Sequence, residues 1–177
     1  MGYPLAKRTG VTEAEFLALP ESMERIELLD GEVIVPPSPT FRHQRLVLDI
    51  AAALRSWARA HPPAAVGLSP LDVRFDAGRI LQPDVLVVLD GIDAEVSTPL
   101  DVVPDLVIEV MSRHRAYDRI TKRVVYTEAG VREYWVVDPE NAQIEVYLGE
   151  EGPRLVSDIL LSELLPGFQL DLRDLFA

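Results

Sequence analysis

Apolar residues recur along this chain at two spacings, and the points where one spacing gives way to the other mark its elements. Leu46, Val47, Ile50, Leu54 and Trp57 repeat at helical intervals and predict one long helix over residues 41–60. His43 lies three and four residues before Leu46 and Val47, which puts it on the same buried stripe near the helix start. Upstream, Thr12 followed by Glu15 reads as a capping box opening a short helix that ends near Pro20. The stretch ERIELLDGEVIV places two apolar runs around Asp30-Gly31, a two-residue hairpin signal, and the pairing sets Glu27 opposite Ile34. Downstream, Leu71 to Phe75, a turn at Ala77-Gly78 and the run LQPDVLVVLD predict strands, with Asp84 at the mouth of a central one. Residues 90–104 read as loop, and DLVIEV as a second central strand containing Glu109. A helix over 118–129 closed by Gly130, a hairpin of EYWVVD and QIEVYL, and a tail with a short strand and a terminal cap complete the pattern. The fold class expected is α/β: a mixed central sheet flanked by helices, with an N-terminal helix and hairpin.

Composition narrows this picture. A chain of 177 residues, 48% of them hydrophobic, is expected to form a single domain over 1–177. With no cysteine there is neither a disulfide framework nor a thiolate site, so a metal would be held by oxygen ligands with at most a histidine, which favours magnesium or manganese. The N-terminus lacks an apolar leader and the longest apolar runs, such as Val85 to Leu89, are too short for a bilayer; a cytoplasmic protein with no membrane partner is expected. A formal net charge of -12 opposes broad electrostatic capture of nucleic acid. Against that, Arg113, Arg115, Arg119, Lys122 and Arg123 lie close together, either as a local basic patch or as the solvated face of a helix and its approach loop.

The chemistry rests on carboxylates. An ionised Glu109 inside LVIEV is costly unless it is paired, hydrogen-bonded or metal-bound, and a buried salt bridge is its structural alternative. A Pro-Asp pair such as Pro83-Asp84 is most often a turn or cap. Together, two carboxylates on adjacent central strands can share one divalent cation with water and phosphate oxygens, as phosphodiester hydrolysis requires. Lys122, in the second turn of the helix after the Glu109 strand and one turn from Asp118 and Tyr126, reaches back over the strand end or else faces solvent beside Asp118.

The ordered set ELLDGEVIV, SPTFRHQRLVLDIAAAL, QPDVLVV, PDLVIEVMS and YDRITKRVVYTEAGVREYWVVDPE resembles the Uma-two family of endonucleases, within the PD-(D/E)XK nuclease superfamily, over roughly residues 24–148. The resemblance implies a restriction-endonuclease-like fold and a magnesium-dependent (or manganese-dependent) nuclease that leaves a 5′-phosphate, acting on nucleic acid, with DNA the expected substrate. It implies Asp84 and Glu109 as metal ligands, the Val110 carbonyl as a third, and Lys122 as the catalytic lysine. The superfamily's usual lysine lies two residues after the glutamate, where this chain has Met111, so the role moves to the following helix. Glu27 and His43 match the family's remaining polar positions and are read as auxiliary groups near the metal, with Tyr117, Tyr126 and Gln44 as lesser candidates for substrate contact.

Two other readings compete: a catalytically inactive nuclease-fold module that binds nucleic acid or protein, and a phosphoesterase acting on small molecules. No Walker loop, dinucleotide fingerprint or nucleophile elbow occurs. Cleavage of both strands would suit a homodimer, with EYWVVD and IEVYL as contributing strands. Asp84→Asn and Glu109→Gln are expected to abolish metal binding while keeping or raising thermal stability, through relief of carboxylate repulsion.

Overall fold

The computed structural model describes residues 5–20, 25–111 and 120–177, so the expectations for Arg113, Arg115, Tyr117, Asp118 and Arg119 lie outside the described residues. Strand β1 (Leu5–Arg8) leads into helix α1 (Glu13–Leu17), opened by the expected capping box: the Thr12 amide donates to Glu15 at 2.8 Å and the Glu15 amide to Thr12 Oγ1 at 3.3 Å. Strands β2 (Glu27–Leu29) and β3 (Glu32–Val35) form the hairpin. Asp30 and Gly31 both adopt positive φ, 49° and 85°, as a tight turn of matching twist demands, and Glu27 pairs with Ile34. Helix α2 (Phe41–Ala60) has the expected bounds, and Thr40 Oγ1 accepts from the His43 amide at its start.

Strands β4 (Ala65–Leu68), β5 (Val73–Asp76), β6 (Arg79–Leu81), β7 (Val85–Val88) and β8 (Leu106–Val110) follow. Helix α3 (Lys122–Ala129) ends on Gly130 in the left-handed conformation, φ 91°. Ile120 and Thr121 form a wider π-type turn, so Lys122 opens the α-helix instead of lying in its second turn. Strands β9 (Glu133–Asp138) and β10 (Gln143–Leu148) make the second hairpin. The tail is richer than expected: β11 (Arg154–Val156), β12 (Ile159–Leu161), β13 (Gln169–Asp171) and helix α4 (Leu172–Leu175).

The strands build two main sheets, where the sequence suggested one. The larger runs β11-β10-β9-β8-β7-β4 and is mixed, with β8 and β9 parallel and the other pairs antiparallel. The N-terminal hairpin joins a separate sheet ordered β1-β3-β2-β6-β5, and β12 pairs with β13 alone. Alternation along the central strands explains the layering. Val85, Val87, Ile108, Trp135 and Val137 pack with Leu46, Ile50 and Leu54 of α2 and with the C-terminal elements. Leu86, Val88, Val107 and Val136 face the other way, onto Val125 and Tyr126 of α3 and Val73, Phe75 and Leu81 of the smaller sheet. β9 is buried at every position and lies between β8 and β10, and β10 is buried at all but its two ends; neither strand offers the open surface expected for a dimer contact. Among the described residues no helix is long and apolar enough to cross a membrane.

Candidate active site

Strands β7 and β8 run antiparallel with Val85 opposite Ile108, and carrying that register one residue further sets Asp84 across from Glu109. The pleat gives both the face shared by Leu86 and Val107, turned toward α3 and the smaller sheet. Each is 2% exposed. The Val110 amide donates to Asp84 Oδ2 at 2.9 Å and ties the aspartate to the end of β8. The expected pairing of carboxylates on adjacent central strands is thus realised.

Three further elements bring their charges to the pair. Lys122, first residue of α3, is 2% exposed, and its Nζ lies 2.8 Å from Glu109 Oε1 and 3.1 Å from Glu27 Oε1. The solvent-facing lysine is thereby replaced by a buried bridge between two acids. Glu27, fully buried on β2, also accepts from the Gln82 amide at 3.1 Å. His43 reaches Asp84 Oδ2 from α2 with Nε2 at 3.1 Å. All five residues named from the sequence therefore belong to one connected cluster.

Two members were not foreseen in these roles. Arg25 donates through Nη1 to Asp84 Oδ1 at 2.9 Å and through Nη2 to Glu27 Oε1 at 3.3 Å, and bonds the Gln82 carbonyl as well. Tyr126, expected near substrate, is fully buried and donates its hydroxyl to Glu109 Oε1 at 2.6 Å, so it supports the carboxylate. Gln44 is exposed on α2, outside the cluster. Arg123 stacks its guanidinium 4.4 Å over the Tyr147 ring and donates to the carbonyls of Glu150 and Glu151.

The acids respond to these neighbours in opposite directions. Burial works against ionised Asp84, yet the His43 hydrogen bond and the Arg25 charge hold its carboxyl far below the usual range. Glu27 is also held low, where the charges of Lys122 and Arg25 outweigh burial. Burial raises Glu109 above the ordinary carboxylate range in spite of Lys122, and the nearby Asp84 charge adds to the rise. For His43 burial opposes the cation, but the hydrogen bond to Asp84 and its charge raise the imidazole above its ordinary value.

A hard divalent ion suits these donors. Asp84 and Glu109 present carboxylate oxygens of the kind such an ion takes, and both hydrogen bonds to Glu109 fall on Oε1, leaving Oε2 unengaged among the described residues. The Nδ1 of His43 is buried without a hydrogen-bond partner among the described residues. Among the described residues no three histidine or acidic side chains converge into a metal cage. That is compatible with magnesium, which commonly takes one or two protein carboxylates and fills its other positions with water and phosphate oxygens.

The model of the Uma2 family, described as "Putative restriction endonuclease", matches residues 13–173. No curated protein matches the chain. Among solved structures, that of "a putative nuclease belonging to DUF820" from Anabaena variabilis ATCC 29413 is similar with a TM-score of 0.82 at 22% identity. The match covers 94% of this chain and 97% of that one, a likeness of fold from end to end.

Proposed function

This chain belongs to the Uma2 family, and from that premise we propose that it is a metal-dependent endonuclease that hydrolyses phosphodiester bonds, with DNA as its substrate. The observation that carries the reading is the buried juxtaposition of Asp84 and Glu109 at the ends of two central strands, with Lys122 Nζ 2.8 Å from Glu109. Isolated carboxylates in such a place are costly, so their concentration points to a cation-dependent task. In this proposal Asp84, Glu109 and the Val110 carbonyl hold Mg2+ or Mn2+. The ion, when bound, supplies Lewis acidity toward the phosphate and a water of lowered pKa.

The remaining work falls to the chain's own groups. Lys122, fixed between Glu27 and Glu109, orients the Glu109 carboxylate and stabilises charge that develops on the transferred phosphoryl oxygens. His43 sets the Asp84 carboxylate through Nε2 and is placed to take up a proton. Glu27 holds Lys122 and Arg25 in position. We further propose that the protein works as one domain in the cytoplasm, and that double-strand cleavage uses a homodimer built on a surface other than β9 and β10. Size-exclusion chromatography with light scattering that returns a monomer at high concentration removes the dimer.

One observation favours a second reading. Arg25 already occupies Asp84 Oδ1 and Lys122 already bridges two acids, the self-neutralised state expected of a nuclease fold kept for binding alone. Calorimetric titration of Mn2+ into the wild type, Asp84→Asn and Glu109→Gln, with plasmid nicking on the same samples, separates the two. Wild-type binding and nicking that both vanish in folded variants support the enzyme; a wild type that holds no ion selects the binding module.

A further inference from the structure

Helix α2 buries Leu46, Ile50, Leu54 and Ala58 against the larger sheet and leaves its opposite face outward. Along that outer face lie Phe41, Arg45, Leu48, Ala52, Arg55 and Arg59, separated by steps of four, three, four, three and four residues, which is the spacing of a single helical stripe. Phe41 is 86% exposed and Leu48 64% exposed, and Arg55 and Arg59 are exposed as well. Arg45 is half-buried, and its Nε is buried without a hydrogen-bond partner among the described residues. Together with Arg42 beside the stripe, the helix carries four arginines against one acid, Asp49.

Such a concentration stands out in a chain of net charge -12. Elsewhere on the surface, Arg74 pairs with Glu13 and Asp101, Arg79 with Asp30 and Glu128, Arg132 with Asp105, and Arg173 with Asp171, while Arg123 and Arg154 donate to backbone carbonyls. Arg42, Arg45, Arg55 and Arg59 form no ion pair among the described residues. At the end of the stripe nearest the site, Phe41 precedes by two residues the histidine that bonds Asp84.

We propose that this outer face of α2 is a docking surface for a nucleic-acid backbone, a substrate-holding role that rests on the nuclease reading above. The helix is about 30 Å long, so its arginines span several successive phosphates of an extended strand or of one duplex groove edge. Charge complementarity selects a polyanion as the occupant. The exposed Phe41 ring adds a surface on which a base can stack. A second copy presenting the same face would meet like charge, and two separated apolar residues among arginines are a poor bilayer contact.

The test is fluorescence anisotropy of a labelled single strand and a labelled duplex across a salt series without divalent metal, using the wild type, R45Q/R55Q/R59Q and R45K/R55K/R59K, with circular dichroism to confirm folding. The expected result is salt-sensitive binding by the wild type and the lysine variant. In the glutamine variant, affinity falls by about tenfold or more and the log–log salt slope flattens by about 2–3. Equal binding by the glutamine variant, no binding by the wild type, or wild-type binding to phosphatidylserine vesicles in place of the oligonucleotide each overturns the proposal. Plasmid nicking run in parallel separates it from the reading on which it rests. Binding through the stripe without nicking removes the nuclease and leaves the docking face, whereas nicking with unaltered binding by the glutamine variant removes the face and leaves the nuclease.

Discussion

Arg25 links what the other cluster residues leave apart, because its guanidinium spans Asp84 and Glu27. The two charges hold it above the ordinary arginine range despite its partial burial. Its presence reverses one expectation. Relief of carboxylate repulsion implied a neutral or stabilising Asp84→Asn, yet Asp84 has a guanidinium at 2.9 Å and an imidazole at 3.1 Å. Removing one partner of a buried ion pair costs about 3–5 kcal/mol, so urea denaturation should find Asp84→Asn less stable by that order. A variant as stable as wild type would restore the repulsion argument. Tyr126→Phe loses a hydroxyl bond to a carboxylate and should cost about 1.5–3 kcal/mol with the native fold retained; an unchanged denaturation midpoint would mean that the bond contributes nothing. The five named residues were legible because ionisable groups at interior positions demand an explanation. Arg25 was less so, since an arginine at a strand entry is ordinary by pattern. Its signal was the spacing Arg25-Ile26-Glu27, which puts base and acid on one side of an extended chain, together with an excess of buried acids that needed cations.

Elements with strong local signals were read closely: the capping box of α1, the Asp30-Gly31 hairpin, the full span of α2 and the glycine that closes α3. Strands β1 and β4 were missed. β4 has the sequence AVGL, is nowhere fully buried and contains Gly67, a residue type depleted in strands. The glycine is there for room: a Cβ on Gly67 would stand 3.0 Å from Leu86 Cδ1, where β4 pairs with β7. The division into two sheets was hidden for another reason, because strand pairing between distant segments leaves no local trace. Capping also bears on the site, since Thr40 closes the end of α2 that carries His43. Thr40→Ala should lower stability by about 1 kcal/mol and speed amide exchange in the first turn of α2. Unchanged exchange there would show that packing alone fixes the helix end.

Over the whole molecule, acidity and the proposed polyanion binding are reconciled by position: four arginines without an ion pair among the described residues share α2, while acids elsewhere are spread over the body or spent on ion pairs. The composite sequence signal carried the mixed α/β architecture, and it missed the separation of the hairpin from the main sheet. That separation changes what the buried cluster is. Glu27 comes from the smaller sheet, Asp84 and Glu109 come from the larger, and Arg25 and Lys122 each bond to both sides. The charges of the proposed active site are therefore also the rivets of a seam between two separately woven halves. A chain in which only one half has formed holds either the aspartate and the second glutamate without Glu27, or Glu27 without them, and so has no blade. Nicking activity and near-ultraviolet circular dichroism should then disappear at the same urea concentration, and activity that outlasts the tertiary signal would show that the site survives an opened seam. For the nuclease proposed above, this arrangement makes completed folding a safety catch.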